Sequence, residues 1–374
     1  MSSFPETTAY VSDITRGLVV FQRMPWARLL LALLATSVIG CHRAEPPVFV
    51  SVDAVNALSP ALQDAVKKEL AQRVGEFLSP KLIEQAGDTH QDLARGQAVY
   101  QLRCVQCHGV SGDGKGASAS FMYPRPRDYR KGIFKFTSTP YGYRPLREDL
   151  VRTIRQGIRG TSMPEFRLLP DQELQAVVDY VLMLTRRGEL ERQLIDMADS
   201  DEAINSDEVT SDLIPAVLTR WSDAEASEVL PATPQPRLTP EHVERGRVAF
   251  LSKGCSKCHG EDGRGQTVDN RGTDLWGYQT RAADLTSGML HGGNRPIDIY
   301  RRIYNGINGT PMPGFANALK DTPETVWDLV AYVLSLTNKR REGTIPPPGA
   351  IKPYVPAKEV SAPDNADTPS ATTN

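Results

Sequence analysis

The residues best suited to chemistry in this chain are two copies of one five-residue motif. Each copy has two cysteines separated by two residues and a histidine directly after the second cysteine, a spacing typical of covalent haem attachment. Two thiols at this spacing can form thioethers with the two vinyl groups of a haem, and the adjacent histidine can bind its iron. The sequence therefore predicts two covalently bound haem c groups. The motifs are Cys104-Val105-Gln106-Cys107-His108 and Cys255-Ser256-Lys257-Cys258-His259.

Paired cysteines also occur in zinc sites and in redox-active dithiols. A zinc site built from both pairs would join residues 151 apart along the chain, and it would leave the histidine unexplained twice. A thioredoxin-like dithiol follows a strand and opens a helix, whereas each pair here follows a helical pattern and leads into a glycine-rich loop. These observations favour haem attachment over both alternatives.

A second protein ligand for each iron is predicted from two methionines. Met163 and Met312 both stand in Gly-Thr-x-Met-Pro, 55 and 53 residues after the histidine of their motif. The following proline stiffens the backbone around each methionine, and methionine paired with histidine raises the reduction potential of a haem. We therefore expect one iron to bind His108 and Met163, and the other to bind His259 and Met312.

The repeat extends well beyond the motif. A glycine inside the helix before each motif, Gly96 or Gly246, costs about 1 kcal/mol relative to alanine. Its recurrence predicts a close approach to the last helix of each copy, near Tyr180 and Tyr332. The second copy gains five residues just after its motif and loses seven before its methionine, and such changes are typical of loops.

The last helix of each copy is predicted from apolar residues at helical spacing. In the second copy, Thr239-Pro240 and Thr322-Pro323 predict the starts of the first and last helices. The apolar stripes are Leu174, Val177, Val178, Val181 and Leu182 in the first copy, and Val326, Leu329, Val330, Val333 and Leu334 in the second.

With these features, each half of the chain resembles a class I c-type cytochrome domain of the kind found in mono- and dihaem bacterial electron carriers. The matching features are the first helix with its glycine and aromatic residue, the haem motif, the methionine loop and the amphipathic last helix. The resemblance implies an all-α fold, with cytochrome c domain 1 at residues 90–188, an acidic linker at 189–238 and cytochrome c domain 2 at 239–340.

One departure from that family concerns the second ring nitrogen of the iron-binding histidine. In such domains, the carbonyl oxygen of a proline after the motif often accepts a hydrogen bond from this nitrogen. Pro124 or Pro126 is a candidate for His108, but no proline lies between His259 and Pro296. The sequence leaves the partner of His259 open.

Charge is distributed unevenly, although the formal net charge of the chain is only −2. Residues 123–167 contain eleven Lys and Arg against four Asp and Glu, and residues 188–230 contain two against twelve. The basic stretch is either a docking face for an acidic redox partner or a surface across which the acidic linker folds to orient the two domains. A third interpretation is solvated surface with some arginines bonded to haem propionates, for which Arg125 and Arg127 are the candidates. No nucleic-acid footprint is present.

Residues 1–40 are predicted to be a signal peptide of the lipoprotein type. The apolar run at 29–40 is too short to span a bilayer and fits the core of a signal peptide. It ends in Val38-Ile39-Gly40-Cys41, which resembles the lipobox of bacterial lipoproteins and implies lipid attachment to Cys41. We expect an exported protein anchored on the periplasmic side of a membrane, with a helical or stalk-like segment at 41–89 and a disordered Pro-rich tail at 341–374.

The leading functional hypothesis is a dihaem electron carrier or a subunit of a larger oxidoreductase. Two protein ligands on each iron leave no open site for a substrate, so we do not expect an enzyme. The expected partners are redox proteins, namely a quinol-oxidising complex, a terminal oxidase or a periplasmic dehydrogenase. Two alternatives stay open: a dihaem peroxidase, which needs one iron with a displaceable distal ligand, and a haem-based gas sensor, which needs an output domain.

Overall fold

The computed structural model of the protein describes residues 46–83, 92–268 and 271–341. The predicted signal peptide, Cys41 and the predicted tail beyond residue 341 lie outside these ranges. About half of the described chain is helical, and its only strands form two short two-stranded hairpins, which confirms the predicted all-α class.

The elements are numbered here in chain order. The helices are α1 (Pro60–Val74), α2 (Leu93–Arg103), α3 (Val105–His108), α4 (Arg147–Gln156), α5 (Asp171–Asp201), α6 (Ser206–Glu208), α7 (Ile214–Glu225), α8 (Pro240–Ser252), α9 (Cys255–His259), α10 (Pro296–Asn305) and α11 (Thr325–Arg341). The strands are β1 (Gly75–Glu76), β2 (Ser79–Pro80), β3 (Arg271–Thr273) and β4 (Gln279–Arg281). Short 3₁₀ turns lie at Asp53–Ala57, Ala119–Phe121, Leu285–Ser287 and Asn317–Leu319, and a π-helical turn lies at Val209–Leu213.

In the first domain, helix α2 crosses the N-terminal half of α5. Helix α2 begins after Asp92, whose side chain accepts a hydrogen bond from the backbone N–H of Arg95 at 3.0 Å. At the crossing, a Cβ atom added to Gly96 would lie 2.1 Å from the carbonyl oxygen of Ala176 and 3.1 Å from Cβ of Tyr180. The predicted close approach beside Tyr180 is confirmed.

The second domain repeats this crossing with α8 and α11. Helix α8 begins at Pro240, directly after Thr239, as predicted. A Cβ atom on Gly246 would lie 2.0 Å from the carbonyl oxygen of Asp328 and 2.9 Å from Cβ of Tyr332. Helix α11 begins at Thr325 rather than two residues earlier, because the backbone N–H of Thr325 donates to the carbonyl oxygen of Thr322 (3.0 Å) and closes a separate turn.

Helix α5 continues well past the first domain. Its 31 residues end at Asp201, so the predicted start of the linker at 189 lies inside this helix. Farther along the predicted linker, α7 returns to α5, and the indole N–H of Trp221 donates to the buried carboxylate of Glu189 at 2.8 Å. In the structure, the segment predicted as an acidic linker is mostly helical and packed.

The N-terminal segment, residues 49–83, packs on the first domain and on the extension of α5. Helix α1 shares an apolar cluster with α5 that includes Leu70 and Leu194. The segment also contacts the loop after the first haem motif, where the backbone N–H of Val50 donates to the hydroxyl of Ser111 at 2.5 Å. The side chain of Asp53 pairs with Lys115 at 3.1 Å.

The two hairpins differ in their relation to the repeat. Strands β1 and β2 pair Gly75 with Pro80 at the end of α1. Strands β3 and β4 pair Thr273 with Gln279, and they lie in the stretch that makes the second copy five residues longer after its motif. Within the described ranges, no helix has the length and apolar character needed to cross a bilayer.

Candidate haem-binding sites

Each haem motif lies in a short helical turn that is held in the same way in both domains. The turns are α3 and α9, and each ends at a glycine with positive φ, Gly109 or Gly260. The backbone N–H of that glycine donates back into the turn at 2.8 Å in both copies. Positive φ at this position favours glycine, which explains why the residue recurs after both motifs.

Both motif histidines direct one ring nitrogen at a backbone carbonyl. Nδ1 of His108 lies 3.4 Å from the carbonyl oxygen of Arg127, and Nδ1 of His259 lies 3.0 Å from that of Ala283. A carbonyl only accepts, so Nδ1 carries the proton and Nε2 keeps the lone pair that iron needs. Burial lowers the pKa of His108 to about 4 and also lowers the pKa of His259, which favours the neutral rings that bind metal.

These contacts answer the question that the sequence left open for His259. Neither accepting carbonyl belongs to a proline, and both precede an aspartate, Asp128 or Asp284, at equivalent places in the repeat. A backbone carbonyl is present at every residue, so side-chain identity gave no signal for it. The repeat itself could have pointed to the position, because the two aspartates align.

Three of the four motif cysteines, Cys104, Cys107 and Cys255, are partly buried, and Cys258 is exposed. Burial raises the pKa of Cys104 to about 12 and the pKa of Cys255 to about 11. A redox-active dithiol needs the opposite shift, so the local environment does not favour that alternative. The two pairs lie in turns of different domains, and the described residues contain no group of three or more Cys, His, Asp or Glu side chains arranged to hold a metal ion.

The two methionine loops have matching hydrogen bonds. Behind Met163, the hydroxyl of Thr161 donates to the carbonyl oxygen of Ile158 at 2.7 Å and accepts from the backbone N–H of Met163 at 3.1 Å. The hydroxyl of Thr310 makes the equivalent bonds around Met312, at 2.8 and 3.3 Å. The threonine of Gly-Thr-x-Met-Pro therefore fixes the loop, a role that the sequence analysis did not identify.

The elements that carry these residues converge on the last helix of each domain. In the first domain, Cys104 and the α4 residue Ile154 pack against the same apolar cluster as Val177 of α5. In the second domain, Cys255 and the α10 residue Ile303 join the cluster around α11. Two cysteine side chains, an imidazole whose Nδ1 is bonded to a carbonyl oxygen and a thioether on a stiff loop thus occur twice in the same framework, and this donor set fits haem c.

The region behind the histidine differs between the domains. The hydroxyl of Tyr100 donates to the carbonyl oxygen of Gly109 at 2.8 Å, so the buried hydroxyl of Tyr129, 2.7 Å away, must donate to Tyr100. The ring of Tyr129 lies 5.1 Å from that of His108. In the second domain, the equivalent residues are Phe250 and Leu285, which have no hydroxyl.

The two arginines predicted to contact haem propionates are engaged with protein groups. Nη1 of Arg125 donates to the carbonyl oxygen of Ala119 at 2.5 Å. Arg127 contacts the second domain: Nη1 lies 3.1 Å from the carboxylate of Asp274, and the guanidinium lies 3.9 Å from the ring centre of Trp276. The structure therefore gives Arg127 a carboxylate partner from the other domain, which the repeat pattern could not indicate.

Each half thus has the helices and the potential ligand residues of a class I cytochrome c domain. Comparison with protein families agrees: residues 91–181 match the family described as cytochrome c oxidase, cbb3-type, subunit III, and residues 243–337 match the family described as cytochrome c.

Individual relatives give the same picture. The cbb3-type cytochrome c oxidase subunit CcoP of Helicobacter pylori is 25% identical over 231 residues, which cover 60% of this chain and 58% of that protein. A second Helicobacter pylori CcoP is 26% identical over 192 residues, 51% of this chain and 43% of that protein. The chain therefore spans about half the length of these curated relatives.

A solved structure matches over a longer part of its own chain. It belongs to the reducing HAO-like protein complex Kustc0457/Kustc0458 of Kuenenia stuttgartiensis, with a TM-score of 0.51 and 30% identity, covering 66% of this chain and 99% of that one. The protein belongs to the c-type cytochromes and has two cytochrome c domains in tandem, which hold two covalently bound haem c groups.

Proposed function

We propose that this protein transfers electrons through its two haems, as a carrier or as a subunit of a larger oxidoreductase. The observation that carries the proposal is the repetition of one donor set in one hydrogen-bonded framework. Haem supplies the one-electron chemistry, and the protein sets its potential, orientation and exposure. We assign thioether links to the four motif cysteines, one iron ligand to each motif histidine and the other to each loop methionine. The assigned residues are Cys104, Cys107, His108 and Met163 in the first domain and Cys255, Cys258, His259 and Met312 in the second.

The matching methionine loops support a carrier over a dihaem peroxidase. A peroxidase needs one iron whose distal position can open, so its two distal loops should differ. Here the threonine hydroxyl makes equivalent hydrogen bonds around Met163 and Met312, and the backbone N–H of Ile158 or Ile307 donates to the methionine carbonyl oxygen in each loop, at 3.1 and 3.2 Å.

Redox titration of the purified protein, followed by optical spectroscopy, tests this proposal. We expect two low-spin haems that each take up one electron reversibly, and no peroxide turnover by the half-reduced protein. A high-spin band together with peroxide turnover would mean that the protein is a peroxidase rather than an electron carrier.

Redox protein partners are part of the proposal. Its support is that one relative is named as an oxidase subunit and another is a chain of an HAO-like complex. Mixing the reduced protein with solubilised membranes from its own source organism should oxidise it at a rate that saturates with membrane protein. A rate no faster than autoxidation would mean that those membranes contain no redox partner of the protein.

Export and lipid anchoring at Cys41 are also proposed, because of the apolar run and the lipobox-like Val38-Ile39-Gly40-Cys41 that ends it. Replacement of Cys41 by alanine should move the haem-containing protein from the membrane fraction to the soluble fraction. An unchanged membrane fraction would mean that another contact anchors it.

A buried guanidinium suggests a propionate partner that the sequence analysis did not single out. Nη2 of Arg302, on α10, donates to the carbonyl oxygen of Thr137, whereas Nε and Nη1 are buried without an acceptor among the described residues. Burial lowers the pKa of Arg302 to about 10, so the group stays charged at neutral pH. Buried donors without acceptors are costly, and a carboxylate such as a haem propionate would satisfy them.

The propionate assignment predicts a change in one haem only. Replacement of Arg302 by glutamine should lower the potential of one haem, since a positive charge near that haem is lost. The control variant is Arg301→Gln, since the neighbouring Arg301 already pairs with Glu228 at 2.7 Å. Equal shifts in the two variants would assign the effect to loss of positive charge on α10 rather than to a propionate contact of Arg302.

A further inference from the structure

The second domain reaches into the first through the hairpin β3–β4. Its tip, residues 274–278, contacts the first domain in several places. The carboxylate of Asp274 is buried and lies 3.1 Å from Nη1 of Arg127 and 3.3 Å from Nζ of Lys135. The indole N–H of Trp276 donates to the carbonyl oxygen of Asp128 at 2.7 Å. These contacts lie in the stretch between His259 and Asp284, which is five residues longer than its counterpart in the first copy.

The tip is itself held firmly by the second domain. Oδ1 of Asp274 accepts from the backbone N–H groups of Trp276 and Tyr278, both at 3.1 Å. The backbone N–H of Leu275 donates to the carbonyl oxygen of Gly309 at 2.9 Å. A Cβ atom on Gly309 would lie 2.4 Å from the ring of Trp276, so the indole packs closely on the loop that leads to Met312.

The residues held by the tip are the ones that orient the first histidine. The carbonyl oxygen of Arg127 accepts from Nδ1 of His108, and Asp128, the next residue, accepts from Trp276. The side chain of Arg127 is fixed at the same time, by Asp274 and by the face of the indole. In the second domain, the equivalent carbonyl belongs to Ala283, whose side chain carries no charge.

We propose that the β3–β4 hairpin of the second domain positions the haem site of the first domain. By fixing the Arg127–Asp128 segment, the hairpin tip sets the orientation of His108 and the charge close to it. The two haem sites therefore form one redox unit, because Trp276 contacts the support of His108 on one side and the Met312 loop on the other. This inference rests on the proposed electron-transfer function.

The test is to alter the hairpin in the second domain and measure the haem of the first. The full dihaem protein is prepared with Trp276→Ala, Trp276→Phe or Asp274→Asn, and with Leu275→Ala as the matched control. Leu275 lies in the same tip, but its side chain is 56% exposed, and the substitution keeps its backbone bonds. The two haems are distinguished by comparison with Met163→Leu and Met312→Leu protein.

We expect the first-domain potential to move more than the second-domain potential, because Trp276 and Asp274 bond directly to the segment that supports His108, whereas the second haem is reached only through the loop before Met312. Asp274→Asn at pH 6 removes a negative charge beside Arg127 and Lys135, which favours the reduced iron. The expected effect is about a tenfold rise in the reduced-to-oxidised ratio of the first haem, 59 mV for a one-electron couple. Trp276→Ala should shift the same haem more than Trp276→Phe, which keeps a ring under Arg127, and Leu275→Ala should shift neither haem.

A second measurement reports on the protein rather than the haem. Hydrogen exchange of the peptide containing residues 123–136 should increase in Trp276→Ala protein and stay native in Leu275→Ala protein. If Trp276→Ala fails to retain both haems, Trp276→Phe decides the question by the same two measurements.

The inference is overturned if the Asp274 and Trp276 variants leave the first potential within the range of the control, or move both potentials equally. Its failure differs from failure of the proposed function. If only the inference fails, the unsubstituted protein still shows two reversible haems. If the proposed electron-transfer function fails, the unsubstituted protein does not show them.

Discussion

The two haem domains have the same ligand framework and different surroundings. The first domain is covered by the N-terminal segment, by the extension of α5 with α7, and by the hairpin of the second domain. The second domain builds its site on α8–α11 with Cys258 exposed. The repeat therefore determines which residues are positioned to bind the iron, whereas the segments added around the repeat determine the environment of each haem.

The environments also differ directly behind the histidines. The hydroxyls of Tyr100 and Tyr129 form a buried chain that ends at the carbonyl oxygen of Gly109. Phe250 and Leu285 take these places in the second domain. Because hydrogen bonding and burial both tune haem potentials, the same ligands should give two different potentials in this protein.

The largest expected effect is the loss of one methionine ligand, which should change one haem and leave the other unchanged. Met163→Leu should remove the methionine-to-iron absorption from one haem and lower its potential, because the thioether that favours the reduced iron is lost. Met312→Leu should do the same to the other haem alone. Redox titration with optical detection measures both. Loss of both absorptions in either single variant would contradict two independent ligand sets.

The next effect concerns stability and should be similar in the two domains. Alanine at Gly96 or Gly246 would gain about 1 kcal/mol from helix propensity. However, the new Cβ would lie 2.1 or 2.0 Å from a backbone carbonyl oxygen, and that oxygen cannot rotate away. Overpacking costs typically 1–3 kcal/mol, so after the gain in helix propensity we expect the free energy of unfolding to fall by about 1 kcal/mol, and by at most about 2 kcal/mol.

Denaturant unfolding followed by far-ultraviolet circular dichroism checks this expectation. The controls on the same helices are Leu102→Ala and Val248→Ala, whose side chains are 72% and 53% exposed. If the glycine variants are as stable as these controls, the helix crossings are looser than the structure indicates.

The parts that the sequence predicted are those set by short-range pattern. The motif spacing, the methionine loops and the helix crossings at Gly96 and Gly246 depend on residues that recur in both copies. The contacts of Arg127 were not predictable in this way, because its partner Asp274 lies in a stretch whose length differs between the two copies, so the repeat gives no register for it. The partner of His259 was missed because a backbone carbonyl has no residue signature.

The extent of α5 was missed for another reason. The predicted boundary at 188 follows the end of the repeat, but the apolar spacing continues through Leu190, Leu194 and Met197, all buried in the structure. The high density of acidic residues at 188–230 favoured a linker. In the structure, one of these carboxylates, that of Glu189, is buried and bonded to Arg144 and Trp221.

A smaller effect tests the charge cluster that lies between the domains. Burial, with the nearby charge of Arg127, lowers the pKa of Lys135 from 10.5 to about 8. Between these values the unfolded chain binds more protons than the folded chain, so stability rises with pH through this window. With 1.36 kcal/mol per pKa unit, Lys135 should contribute a rise on the order of 1 kcal/mol between pH 7 and pH 9.

Replacement of Lys135 by glutamine should remove that rise. The comparison is the pH dependence of the free energy of unfolding in native and Lys135→Gln protein, with Lys115→Gln as a control in which the lysine is 58% exposed. The difference between native and Lys135→Gln protein should grow with pH, and a constant difference would mean that Lys135 is not buried by the second domain.

The smallest expected effect is the salt dependence of electron transfer. It distinguishes a basic stretch that docks a redox partner from one that orients the two domains. Arg127, Lys131 and Lys135 all contact the hairpin of the second domain. Arg144, Arg147, Arg152 and Arg155 each pair with a carboxylate. Among the described residues, Arg159 is exposed and forms no ion pair. Most of the positive charge is therefore used within the molecule.

Electron transfer to an acidic partner should consequently depend only weakly on salt. Electrostatic steering raises association rates by about 10- to 1,000-fold, and we expect less than about tenfold between 0.01 and 0.15 M ionic strength, where the Debye length falls from about 30 to 8 Å. Arg159→Gln should account for most of that dependence, and Lys67→Gln, whose side chain is 58% exposed on α1, for none. If the rate still depends steeply on ionic strength in the Arg159→Gln protein, the paired arginines attract the partner electrostatically. The docking interpretation would then be preferred for the first domain.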